Sequence, residues 1–497
     1  MLANAYSNLK TFYTISIFIL LMVCLCFSAT TYSQNNPLAN NPLTTKNKQT
    51  ISLADILKST WNHHPKIQQA RSNLAEKQAL QLAAQGAFDW HIKQESFARS
   101  SGYYDGRFID QKLTRQLKPL NSELSLGYRV SDGEFPVYEA INETLSDGEF
   151  NLKLKLSLLQ GREVDADRGQ LNNSQLDTAV AELEQQLDIN ATLFDAALSY
   201  LKWYRAAREL AMAEQALALA KNRKEAIRAG VKQGDLAAIT LTEYESSLLN
   251  REINLINGQQ KLVNAAIELS LYLRDNNGTP SLVTSDAEPA AVDQQNLVQK
   301  LETVLISTAE ATQYEQHPRY QQLTQYIAQQ QNKVLLSKNK QLPKLDVEVT
   351  VAEDIGSGSE TLDGTESYVG LSFSASLERR EAKGKLAAEQ EKLRQLKLTR
   401  NLFIDQFTTE VNKAYSELDN LKQLLSIRRQ QANLSSQLIN QEHQRFNAGD
   451  SNLFLVNTRE RENINAQIAT LDAELQAIRQ KLYLLSLKGQ LDQLLVL

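Results

Sequence analysis

His64-Pro65-Lys66-Ile67-Gln68-Gln69-Ala70-Arg71 returns later in the chain as His317-Pro318-Arg319-Tyr320-Gln321-Gln322. Two further landmarks repeat in the same order. Leu159-Gln160-Gly161-Arg162-Glu163 pairs with Leu377-Glu378-Arg379-Arg380-Glu381, and Gly234-Asp235 pairs with Gly449-Asp450. The chain is therefore a duplication, and that fixes its architecture. The first copy carries about 35 extra residues between its first two landmarks, and beyond them the copies stay nearly in register. Repeat one is placed at 51–274 and repeat two at 293–490, with a polar linker at 275–292 and a C-terminal tail at 491–497.

Each repeat has the same internal order. A short helix follows His-Pro, over 66–86 and 319–341. A β segment follows, at 89–160 and at 343–378. Phe150, Leu152, Leu154, Leu156 and Leu158 alternate with polar residues, as do Val369, Leu371, Phe373, Ala375 and Leu377. Upstream partners lie at 90–98 and 345–351. Period-two alternation with one apolar face suits a transmembrane barrel strand or a half-buried strand of a soluble sheet. In the longer first repeat, Leu124, Leu126, Tyr128 and Val130 also alternate, as an extended outer loop or an added hairpin.

Long helices come next, over 163–229 and 381–447, and return over 236–274 and 452–489. Leu241, Leu248, Leu255, Leu262 and Leu269 recur every seventh residue, and Ile464, Ile468, Leu471, Leu475, Ile478, Leu482 and Leu485 step by four and three. That is coiled-coil seam spacing. An outgoing helix of about 67 residues is roughly 100 Å long. The short and returning helices together nearly match it, so each repeat is expected to be a hairpin rod with strands at one end.

Composition agrees. The 497 residues include only 9 Pro and 19 Gly, and 137–279 and 344–497 contain no Pro. Proline breaks helices, so its absence permits very long ones. An ordinary α/β enzyme, needing a Gly or Pro turn between every strand and helix, is disfavoured. A net charge of −5 gives no nucleic-acid footprint.

Residues 11–28 are apolar and uncharged, Lys10 precedes them, and a polar stretch at 34–50 follows. This is the layout of a secretory signal peptide, with cleavage expected near Ser33. Cys24 and Cys26 both lie inside it, so the exported chain would hold no thiol for catalysis, metal binding or disulfides.

The order of these parts resembles the TolC family of outer-membrane efflux ducts over about residues 50–490. Arg445-Phe446-Asn447-Ala448-Gly449 followed by Leu453-Phe454-Leu455-Val456 is similar to the family's helical turn, and Leu342-Pro343-Lys344-Leu345 to its strand opening. The resemblance implies a mainly α fold of duplicated helical hairpins, forming an α-barrel, with β-hairpins pooled in a trimeric transmembrane β-barrel. It implies a passive duct of a tripartite efflux or type I secretion system, in the outer membrane and reaching into the periplasm. It also implies a homotrimer in outer-membrane lipid, with a periplasmic adaptor (a membrane fusion protein) and an inner-membrane transporter as partners. Gly230, Gly234, Asp235, Arg445, Gly449 and Asp450, at the helical turns, are the implied adaptor contacts. Two departures stand out. Repeat one, Gly230-Val231-Lys232-Gln233-Gly234, lacks the Arg-aromatic pair. The places after the second turn that are often acidic in the family hold Leu455 and Thr458, whereas Glu243 supplies a carboxylate in repeat one. These three are the tunnel-mouth candidates.

No catalytic, cofactor or metal constellation is expected. His64 and His317 read as helix boundaries. Gly449-Asp450-Ser451-Asn452 has no His after His443 to act as base, and the chain has no phosphate-binding Gly loop with Lys. The competing class is a periplasmic adaptor or other exported coiled-coil scaffold, which usually has one hairpin rather than two.

Overall fold

The computed structural model describes residues 50–99, 101–284, 287–290, 301–302 and 314–495. All belong to the unit Lys48–Leu497. The expected signal segment, its cleavage site and the residues up to 49 lie outside them. Among the described residues, no helix is long and apolar enough to cross a membrane.

The helices whose full extents are described are α1 (Leu53–His63), α2 (Pro65–Gln85), α3 (Ala166–Gln233), α4 (Ala238–Ser270), α5 (Pro318–Asn339), α6 (Arg380–Asn447) and α7 (Leu453–Leu487). The two long ones, α3 and α6, have 68 residues each. At 1.5 Å per residue each is roughly 100 Å long. α3 packs against α2 and α4, and α6 against α5 and α7, so short and returning helices share the flank of each long one. α7 and α5 also touch α3, which joins the two rods.

Local chemistry sets the boundaries. Ser52 and Asp55 form a reciprocal capping box at the start of α1. His64 and His317 are side-chain N-caps: their Nδ1 atoms accept from the backbone N–H of Lys66 (3.3 Å) and Arg319 (3.0 Å). Proline then occupies the first helical position, where no N–H is required. The His317 ring also packs on Phe403 and Phe407, and burial drives its pKa down to about 4.

The principal core sits where the short and returning helices meet. Leu53, Ile56, Ile67, Leu193, Trp203, Leu269, Leu482 and Leu485 are fully enclosed in it. Each such Leu or Ile side chain contributes about 1.5–3 kcal/mol. The described part of the linker is not a free spacer, since Val283 and Ala287 lie in this core and Thr50–Ile51 pairs in parallel with Glu288–Pro289. Nor is 491–495 a loose tail. Leu491–Leu495 form a 3-10 turn, and Leu491 and Leu494 are buried.

Six strands form one antiparallel meander in sequence order: β1 (Trp90–Ala98), β2 (Arg107–Leu117), β3 (Ser122–Asp132), β4 (Glu149–Ser157), β5 (Lys344–Asp354) and β6 (Gly364–Ser374). The extra residues of repeat one are therefore an added hairpin, β2–β3, rather than a long loop. Repeat one supplies four strands and repeat two supplies two. β6 ends at Ser374, three residues before the alternation does. Ala375 and Leu377 fall in the turn into α6, and the Leu377 side chain is exposed.

Candidate functional site

Register sorts the sheet into two faces. On one lie Ile92, Leu113, Leu126, Leu152, Val351 and Val369, which pair or neighbour one another across the strands. The other is polar and carries ion pairs. Lys112 meets Asp110 (2.5 Å), Arg129 meets Glu149 (2.6 Å) and Lys153 meets Glu348 (2.9 Å). Aromatic residues stand near both ends of the apolar face. Arg115 lies over the Trp90 ring at 5.5 Å, while Tyr128 and Phe150 pack at 4.7 Å. An apolar band between aromatic rims is how a sheet faces lipid. Among the described residues nothing pairs with the outer edge of β1 or of β6. Two bare edges of this length must be paired by another strand or they invite aggregation.

At the far end of the rods the two turns have the same geometry. The Gly234 N–H donates to the Val231 carbonyl and the Asp235 N–H to that of Gly230 (3.0 Å). In repeat two, Gly449 donates to Phe446 and Asp450 to Arg445 (2.9 Å). These are Schellman closures, with φ of 87° at Gly234 and 81° at Gly449. Arg445 Nη2 also donates to the Asp450 carbonyl at 3.0 Å, a lock that repeat one lacks. Gly234, Asp235, Gly449 and Asp450 are exposed, as are Ile239 and Phe454 just beyond the turns. The turns share one apolar cluster, in which Val231 and Leu236 of one meet Phe446 and Leu453 of the other.

Of the tunnel-mouth candidates, Glu243 is exposed on α4, and Leu455 and Thr458 are half-buried on α7. The carboxylate that organises this end is Glu460, which sequence reasoning passed over. Arg223 on α3 and Arg251 on α4 each donate to it at 2.5 Å, and His443 on α6 lies 3.1 Å away. One side chain thus ties all four helices of the two hairpins. Burial opposes its ionisation, but the charges of Arg223 and Arg251 outweigh this and hold its pKa below the usual carboxylate range. Beside it a cleft of about 220 Å³ is lined by Arg223, Ile227, Leu236, His443 and Phe446. Only the succession Arg459-Glu460-Arg461-Glu462, unusually charged for a seam, hinted at this in the sequence. Ser451 of the second turn donates its hydroxyl to the Glu442 carboxylate, which ties the turn back to α6.

No family model and no curated protein sequence matches the chain. Solved structures do. The outer-membrane protein VceC of Vibrio cholerae superposes with a TM-score of 0.61 at 13% identity, over 88% of this chain and 96% of that one. The CmeC outer-membrane channel of Campylobacter jejuni gives 0.59 at 11% identity, over 92% and 94%. The open MtrE outer-membrane channel of Neisseria gonorrhoeae gives 0.59 at 11% identity, over 93% and 98%. This chain has the fold of those outer-membrane channels. Within that fold the six-stranded sheet lies at one end of the rods, and the Schellman turns with the Glu460 cluster lie at the other.

Proposed function

We propose that the protein is the outer-membrane duct of a tripartite export system, a passive conduit built from three copies of this chain. The observation that carries the reading is the sheet. It has one apolar and one charged face, two bare edges and aromatic rims, and it is mounted on rods roughly 100 Å long. Lipid tolerates no open strand edge, so the strands must close against copies of themselves. The helices carry matching apolar stripes for such copies: Leu249, Ile253, Ile256 and Ile267 are exposed on α4, and Leu424, Ile427 and Leu434 on α6.

In this reading Gly230, Gly234, Asp235, Arg445, Gly449 and Asp450 present the rod tips to a periplasmic adaptor. An inner-membrane transporter supplies energy and selects cargo. Glu243, Leu455 and Thr458 border the tunnel mouth, which Glu460 braces from behind. The exported-scaffold alternative leaves the apolar sheet face without a partner. Carbonate extraction of membranes tests the choice. The duct stays in the outer-membrane pellet and runs as a trimer after mild cross-linking, whereas release as a monomer overturns the reading.

A further inference from the structure

We propose that the assembled barrel has eighteen strands, with β1 of each copy paired to β6 of the next and the β2–β3 hairpin built into the wall. The inference rests on the three-copy reading above. Strict duplication would supply two strands per repeat and twelve per trimer, but repeat one supplies four.

The added hairpin behaves as wall rather than plug or surface loop. It is paired along its length on both sides, with β1 from Trp90↔Arg115 to Ala98↔Arg107 and with β4 from Glu123↔Lys155 to Arg129↔Glu149. Its faces continue those of the neighbouring strands. Ile109, Leu113, Leu124, Leu126 and Val130 fall on the apolar side, while Asp110, Lys112, Glu123 and Arg129 fall on the charged side. The one polar pair at mid-height on the apolar side, Gln94 and Gln111, is joined by a 2.9 Å hydrogen bond, which lowers the cost of facing lipid. Strand direction also fits. The meander is antiparallel throughout, so β1 and β6 run oppositely and can pair as antiparallel neighbours between copies.

Width follows from strand number. With strands about 4.8 Å apart and tilted about 40°, eighteen strands close at a backbone diameter of about 36 Å and twelve at about 24 Å. Barrels of 16–18 strands leave an aqueous channel that side chains do not fill. The wall of that channel bears ion pairs of both signs, so its exit is wide and carries no single-sign filter.

Parity gives a sharp test of the seam. His91 lies on the charged face, as do Gly370 and Ser372, whereas Leu371 and Phe373 point to lipid. A His91→Cys chain is combined in turn with Cys at 370, 371, 372 or 373 and oxidised in outer membranes. Covalent trimers are expected from Gly370→Cys or Ser372→Cys and not from Leu371→Cys or Phe373→Cys. The second arm is electron cryomicroscopy of the detergent-extracted full chain, and of a variant lacking residues 103–134, which joins β1 directly to β4. The expected diameters are about 36 Å and about 24 Å. A full-length trimer with twelve wall strands, or one without β1–β6 links, overturns this inference and leaves the duct reading intact. A particle that is not a membrane trimer overturns both.

Discussion

Replacing Glu460 by Gln removes one charge at constant volume from the point where α3, α4, α6 and α7 meet. In the native protein the carboxylate takes a charge-assisted hydrogen bond from each of two guanidiniums. Such bonds are worth about 1.5–3 kcal/mol each. The amide oxygen retains one, while the amide N–H of Gln faces the other guanidinium donor to donor. Breaking a fully buried pair costs about 3–5 kcal/mol. The side chains of Arg223 and Arg251 keep 19% and 15% of their exposure, so some water relieves them. The expected loss is therefore about 2–3 kcal/mol, concentrated at the rod tips, or roughly a 30- to 150-fold rise in the open population. Hydrogen exchange followed by mass spectrometry reads this directly. Amides over 216–227 and 443–460 should lose protection by that factor, while the core around Trp203 is unchanged. Acid should mimic the substitution. Because the folded pKa of Glu460 is depressed, its stabilisation is complete above the ordinary carboxylate value of 4.5 and is lost as pH falls through the lower folded value. Tip amides that exchange at the native rate in Glu460→Gln would refute the bracing role.

Three further outcomes are expected. Gly449→Val forces a β-branched residue to a φ of 81° and should cost about 1–2 kcal/mol at the turn, abolishing export while trimers still reach the outer membrane at normal abundance. His317, with its pKa lowered from 6.5 to about 4, stabilises the fold fully above pH 6.5 and loses that contribution as pH falls toward 4, roughly 3 kcal/mol per chain. The thermal midpoint should therefore drop across that window, and His317→Asn, which still caps α5, should flatten the slope. Leu371→Arg places a charge on the apolar face of β6 and should cost about 2–4 kcal/mol near mid-membrane, read as reduced outer-membrane abundance, whereas Ser372→Arg on the charged face should be tolerated.

Much of the architecture is legible in the sequence because it is written in local signals. His-Pro followed by helix formers specifies a capped start, Gly-Asp a Schellman stop, and a leucine at every seventh position the seam of α4. The strand number is less legible. β2 reads Arg107-Phe108-Ile109-Asp110-Gln111-Lys112-Leu113, where glutamine interrupts the apolar face and only its cross-strand partner Gln94 makes that acceptable. The Glu460 cluster is less legible still. Its four members come from four helices, so their meeting depends on the register of two coiled coils against each other, which no spacing within one helix encodes. The end of β6 is hidden in the sequence for the opposite reason. Alternation continues through Ala375 and Leu377, but the backbone has already turned toward Arg379, whose φ is 54°.

The enclosure of Leu491 and Leu494 beside Ile51 and Leu53 has a consequence for the chain's biogenesis. The principal core cannot close until residues more than four hundred positions apart have both arrived, and loop closure over such a span is slow. A chain threaded through a membrane in extended form thus carries its own delay. Segments that emerge first can form helices and pair as a hairpin, but the core at their base stays open until the final turn follows. The same residue separation that makes the finished rod cohesive keeps the travelling chain pliable.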